Sequence, residues 1–148
     1  MYKHILIATD GSDLAAKALD HGLTLAKHVN ARVTVVTVTE PWSALDMAAE
    51  ARERKADPVG QFEAMGVAAA QRILDDAAAR GKAQGVACEF VHVKDRHPAD
   101  GIVTTARDRG CDLIVMASHG RRGAARFLLG SQANEVLATA SVPALIVR

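Results

Sequence analysis

Two hydrophobic periods alternate along the chain. Ile5-Leu6-Ile7-Ala8-Thr9 is apolar on both faces, as a central strand of a parallel sheet must be. Asp10-Gly11 marks a turn and Ser12 is a suitable N-cap. The helix that follows puts Ala15, Ala18, Leu19, Gly22, Leu23, Ala26 and Val29 on one face, with Lys17, Asp20 and Lys27 opposite, and Asn30 ends it. Val33–Val38 alternates valine and threonine as a second strand, closed by Glu40-Pro41. Phe62, Met65, Ala69, Ile73 and Ala77 predict a long helix from Gln61 to Ala83, capped by Gly85. Val86–Val93 reads as a third strand whose mixed polarity suits an edge. Pro98 opens a helix with Ala99, Ile102, Val103 and Ala106 inward, ending at Gly110. A fourth strand spans 112–117, and a helix over 132–140 carries Ala133, Val136, Leu137 and Ala140 on one face. Val142–Val147 is the fifth strand, and Pro143 near its start argues for an edge.

Strands alternating with helices predict an α/β fold, a doubly wound five-stranded parallel sheet with helices on both faces. The first and fourth strands are the most apolar, so the expected strand order is 3-2-1-4-5, with the winding reversing between them. Ligands of such sheets bind beyond the carboxyl ends of the strands at that reversal. Neither an internal repeat nor a shift of composition divides residues 1–148, so one domain is expected. Residues 41–60 have no clear period. Good helix formers from Ala44 to Ala56 favour a partly helical excursion that Asp57-Pro58 breaks. Trp42, the only tryptophan, lies four residues past Val38, and residues 41–57 are expected to form a lid over a ligand.

The residues gathered at the reversal are Thr9-Asp10-Gly11 and Ala117-Ser118-His119-Gly120. The second group opens a loop rich in glycine and arginine that ends at Gly130-Ser131, where the last helix begins. Strand, glycine loop and helix N-terminus are the parts of an anion site. The first turn of a helix has unpaired N–H groups, and glycine lets phosphate oxygens approach the backbone. Ser131 is expected to cap the helix, and Arg121, Arg122 and Arg126 are read as solvated.

Composition narrows the function. The net charge of +1 gives no footprint for nucleic acid or an anionic membrane. Cys88 and Cys111 form no C-x-x-C pair, and the six histidines lack metal spacing. Ile5–Ala8 is too short for a signal core or a membrane span, so the expected location is the cytoplasm.

From Ile5-Leu6-Ile7-Ala8-Thr9-Asp10-Gly11-Ser12 to Val142-Pro143-Ala144-Leu145-Ile146-Val147, the chain resembles the universal stress proteins. Their ATP-binding branch carries G-x2-G-x9-G-[ST] between strand four and the last helix. Here that motif is Ala117-x2-Gly120-x9-Gly130-Ser131. The resemblance implies that Asp10 holds the ribose hydroxyls, directly or through a metal-bound water, with Ala8 and Thr9 lining base and ribose. Val38 would offer backbone bonds to adenine, and Met116 and Ala117 would lie beneath the nucleotide. His119, Gly120, Gly130, Ser131, Gln132 and Ala133 would surround the phosphates. The implied ligand is ATP, with or without Mg2+, or AMP, and the implied protein is a stress-response switch. Its partners would be a second copy paired through the 142–148 strand and an unidentified regulatory target.

Ala117 stands where the family has its first glycine. A requirement for positive φ there would strain alanine, whereas a requirement for space would cost one methyl group. The substitution keeps a second reading open, that of a universal stress protein that binds no ATP and serves as a dimeric interaction module. An enzymatic reading has less support. No G-x4-G-K-[ST] lysine is present, and Asp10-Gly11-Ser12-Asp13 lacks the paired glycines of the ATP pyrophosphatase loop. At most weak ATP hydrolysis is expected.

Overall fold

The computed structural model describes residues 1–41, 43, 49, 52, 58–120 and 128–148. The strands are β1 (His4–Ala8), β2 (Arg32–Val38), β3 (Cys88–Val93), β4 (Leu113–Ala117) and β5 (Ala144–Val147). The helices α1 (Asp13–Val29), α2 (Pro58–Gln84), α3 (Pro98–Asp108) and α4 (Ser131–Thr139) alternate with them. All pairings are parallel and the order is β3-β2-β1-β4-β5, as the distribution of apolar strands predicts. Every residue of β1 and β4 is buried, whereas edge strand β3 exposes Glu89 and Phe90.

The pleat splits the core in two. Ile5, Ile7, Val33, Val35, Val115 and Val147 pack under α1 and α2. Leu6, Ala8, Val36, Ile114 and Met116 pack under α3 and α4. Helix ends follow the sequence signals. The Ser12 hydroxyl accepts from Ala15 N–H, and Asn30 takes the left-handed conformation at φ 55°. Gly85 does the same at φ 70°, and Val86 N–H closes the end of α2 on the Gly81 carbonyl.

The helices depart from expectation in three places. α2 begins at Pro58, ahead of the expected Gln61, since proline lacks only an N–H that a first turn leaves unpaired. The buried face of α2 is Ala70, Leu74 and Ala77, rotated from the predicted stripe, and Met65 is 65% exposed because the first turns carry no buried residue. In α4, Leu137 is exposed, leaving Ala133 and Val136 as the inward pair. β5 starts at Ala144 and not at Val142, although the Pro143 carbonyl still accepts from Ile114 N–H. Most of the expected lid, including Trp42, and Arg121, Arg122 and Arg126 lie outside the described residues. None of the described helices is long and apolar enough to cross a membrane.

The amino ends of the strands are held by polar contacts. The Asp112 carboxylate accepts from the N–H groups of Lys3 and His4, and Asp112 N–H donates to the His4 carbonyl. His4 is buried with Nε2 2.8 Å from Thr34 Oγ1. Burial, and then the Arg32 charge, holds its pKa below the ordinary 6.5. Burial also raises the Cys111 thiol to about 11, so this cysteine is a small apolar residue and not a nucleophile.

Two expectations follow. As pH falls through 6.5, the unfolded chain binds a proton at His4 that the folded chain refuses, so stability declines. The urea midpoint should therefore drop between about pH 7.5 and about pH 5.5, and His4→Gln should flatten the decline. His92, also lowered by burial, contributes the same sign and should leave a residual slope. Glycine substitutions in the two helices of one layer should have opposite effects. A Cβ on Gly22 would come within 2.5 Å of Ile7 Cδ1, whereas one on Gly66 would meet nothing within 4 Å. In urea melts, Gly22→Val should lose about 1–3 kcal/mol by overpacking. Gly66→Ala should gain about 0.5–1 kcal/mol from helix propensity.

Candidate functional site

At its carboxyl end, β2 outruns β1. Arg32 N–H donates to the Lys3 carbonyl and the Val36 carbonyl accepts from Thr9 N–H at 3.0 Å, so alternate peptide units of β2 face β1. The next unit in that alternation belongs to Val38, where β1 has already ended. Its N–H and C=O therefore point into the space above β1. On the other side, Thr39 is tied to β3 through Val93 and to Arg96 N–H. α3 fits closely here, since a Cβ on Gly101 would lie 2.8 Å from Val38 Cγ2.

The turn after β1 fixes Asp10. Gly11 sits at φ 78° and its N–H donates to Thr9 Oγ1, while Ser12 N–H donates to Asp10 Oδ1 at 2.9 Å. The other carboxylate oxygen, Oδ2, lies over Gly120, where an added Cβ would approach it to 2.7 Å.

After β4, Ser118 N–H donates to the Val147 carbonyl, and the Ser118 carbonyl accepts from Gly130 N–H at 2.7 Å. The two ends of the loop are thus pinned together. Neither Gly120 nor Gly130 has positive φ. Glycine is needed for contact, because a Cβ on Gly130 would stand 2.7 Å from the Ser118 oxygen. Ala117 is an ordinary strand residue with its methyl buried beside α1, so alanine there carries no backbone strain.

Gly130, and not Ser131, is the N-cap of α4, and among the described residues no side chain caps that helix. Its first-turn N–H groups remain directed at the crevice, with their share of the helix dipole. The Gln132 side chain faces elsewhere. Its Oε1 accepts from Ala99 N–H in the first turn of α3 at 2.9 Å, and its Nε2 lies 3.3 Å from His97 Nε2.

These pieces surround one cavity of about 630 Å³. Ala8, Thr9, Asp10, Val38, Met116, Ala117, His119, Gly120, Gly130, Ser131, Gln132 and Ala133 all line it, so the structure brings together every candidate residue. Its walls also include residues that sequence reasoning left out. Ala69, Ala70 and Ile73 of α2 form one wall, and Pro98 and Ile102 of α3 another. Ala69 and Ile73 belong to the stripe expected to face the core, so their place beside the cavity was not legible from periodicity, whereas Pro98 at a helix start was a usable signal. Ser118 was inside the motif but had no role assigned. Among the described residues, no group of three or more histidine, cysteine or acidic side chains could hold a metal ion.

The universal stress protein family model matches residues 1–148. Universal stress protein YxiE of Bacillus subtilis is 31% identical over the full length of both chains. The structure of protein MJ0577 of Methanocaldococcus jannaschii superposes with a TM-score of 0.80, at 26% identity over 99% of this chain and 96% of that one. A universal stress protein in complex with cAMP superposes with a TM-score of 0.74, at 30% identity over 99% and 97% of the two chains. Sequence match, strand order and loop motif agree over the whole length, and the chain belongs to the universal stress protein family.

Proposed function

We propose that the cavity binds an adenine nucleotide, with ATP as the expected ligand and AMP as the alternative, and that occupancy regulates a partner. The observation carrying this reading is the convergence of Val38, Asp10 and the uncapped start of α4 on one cavity. Each suits a different part of the ligand. The Val38 peptide offers a donor beside an acceptor for a base edge. The Asp10 carboxylate suits ribose hydroxyls, and the α4 N–H groups suit phosphate. A relative solved in complex with cAMP supports an adenine nucleotide as the ligand class. A cytoplasmic location agrees with this ligand. Mg2+, if it accompanies ATP, would be held by the phosphates, with Asp10 as a protein carboxylate of the lining.

Thermal unfolding tests the reading. ATP at about 100 times its dissociation constant stabilises the native state by about 2.7 kcal/mol, a rise of roughly 5–11 °C for a chain of this size. Ser131→Asp should abolish the rise, because a carboxylate in the first turn repels phosphate while favouring the helix. The unliganded variant should melt no lower than the natural protein. An unchanged melting point with ATP and Mg2+ would favour the reading without ATP.

The same proposal includes a dimer through β5. Pro143 and Val147 carbonyls bond to β4, so by alternation the peptide units of Ala144 and Ile146 face outward from the sheet edge. Leu145 beside them is 39% exposed. An apolar edge invites pairing with a second copy about a two-fold axis. Leu145→Lys should give a monomer by light scattering at micromolar concentration, with the fold retained. Val147 is spared in this test because its side chain is buried. A natural protein already monomeric under those conditions would refute the dimer.

A further inference from the structure

We infer that Ser118 is a positioning residue that holds His119 as the Nε2–H tautomer, making the ring a hydrogen-bond donor to the bound nucleotide. Ser118 is 1% exposed, and its hydroxyl oxygen lies 2.7 Å from His119 Nδ1. Its N–H and carbonyl are already engaged by Val147 and Gly130. These two backbone bonds fix the start of the side chain, so the hydroxyl cannot turn toward water by a shift of the main chain.

The tautomer follows from counting protons. A serine hydroxyl has one proton to donate and can also accept, whereas a neutral imidazole has one donor and one acceptor nitrogen. Were Nδ1 protonated, it would donate to the Ser118 oxygen, and the buried hydroxyl proton would need another acceptor. The only side-chain partner of the Ser118 hydroxyl among the described residues is His119. A buried donor left unmade is costly, so the satisfied arrangement has Ser118 donate to Nδ1. The ring proton then resides on Nε2, across the imidazole from the buried serine. A neighbouring hydrogen bond setting the state of the distal nitrogen is general behaviour for histidine.

The consequence rests on the nucleotide reading above. Phosphate oxygens accept hydrogen bonds and donate none when ionised, so a histidine lining their site must present N–H and not a lone pair. With Nδ1 accepting from Ser118, the ring presents an N–H at Nε2. Ser118 would thus act on the ligand through His119, without a contact of its own.

Long-range 1H–15N correlation spectra of histidine-labelled protein should show His119 as the Nε2–H tautomer, both free and with ATP. Ser118→Ala should leave a mixture of tautomers and weaken ATP binding about tenfold or more, the scale of one hydrogen bond to a charged group. A double-mutant cycle separates positioning from structure. In a His119→Ala background, Ser118→Ala should change ATP affinity by less than about twofold. Should the penalty persist there, or the natural protein carry the proton on Nδ1, the inference is overturned even while ATP binds. The tautomer can be read without ligand, so failure to bind ATP would refute the nucleotide reading and leave the hydrogen-bond assignment standing.

Discussion

Strands β1 and β4 lie side by side at the centre of the sheet, buried on both faces, and the helix that follows each can cover only one of them. Right-handed crossovers send α1 to one face after β1, whereas α4 follows β4 onto the other. The chain therefore parts at the carboxyl ends of this pair, and no connection can bridge the gap without reversing a crossover. The cavity is what that constraint leaves. Its floor consists of strand ends, Ala8 and Met116 among them, and its rims are the two turns that lead away in opposite directions.

Closing the longer rim imposes a second constraint. Ser118 and Gly130 come together through a hydrogen bond of 2.7 Å, and the space between them excludes any Cβ on Gly130. A serine or aspartate at that position would be a better N-cap in an isolated helix. It cannot be accommodated here, so α4 begins without a side-chain partner. The open donors of that helix are thus a steric consequence of loop closure as well as a feature suited to anions. Gly120 repeats the logic on a smaller scale by leaving room for the Asp10 carboxylate.

Most of the architecture was legible in the sequence because its signals are local. Ser12, Asn30, Gly85 and Gly110 mark helix ends by backbone chemistry that needs no neighbours. The uninterrupted apolar runs in β1 and β4 announced the centre of the sheet and hence the place of the crevice. The face of α2 was misread because both candidate stripes are rich in alanine, so periodicity alone could not fix the rotation. Contact with β2, β3 and α1 decides it. The cap of α4 was assigned to Ser131 on residue preference, which carries no information about the distance from Gly130 to Ser118. Likewise the motif placed Gln132 beside the phosphates, but the pull of an unpaired Ala99 N–H on its side chain appears only once α3 and α4 are adjacent. For Ala117 the sequence left two alternatives, and its extended strand backbone removes the one based on strain.

The Gln132 side chain has a mechanical meaning. It spans from the first turn of α4 to the first turn of α3, while His97 at the cap of α3 also reaches Glu135 on α4 at 3.0 Å. Two helices joined at their leading ends resist sliding and splaying relative to one another, whatever their packing allows farther along. A displacement imposed on the first turn of α4 is therefore delivered to α3 and, through Gly101 against Val38 and Val93, to strands β2 and β3. The lever arm of this assembly runs across the sheet toward the β3 edge, opposite the β5 edge. Movement begun at the reversal would be felt on a surface remote from it, with the sheet itself as the stiff member.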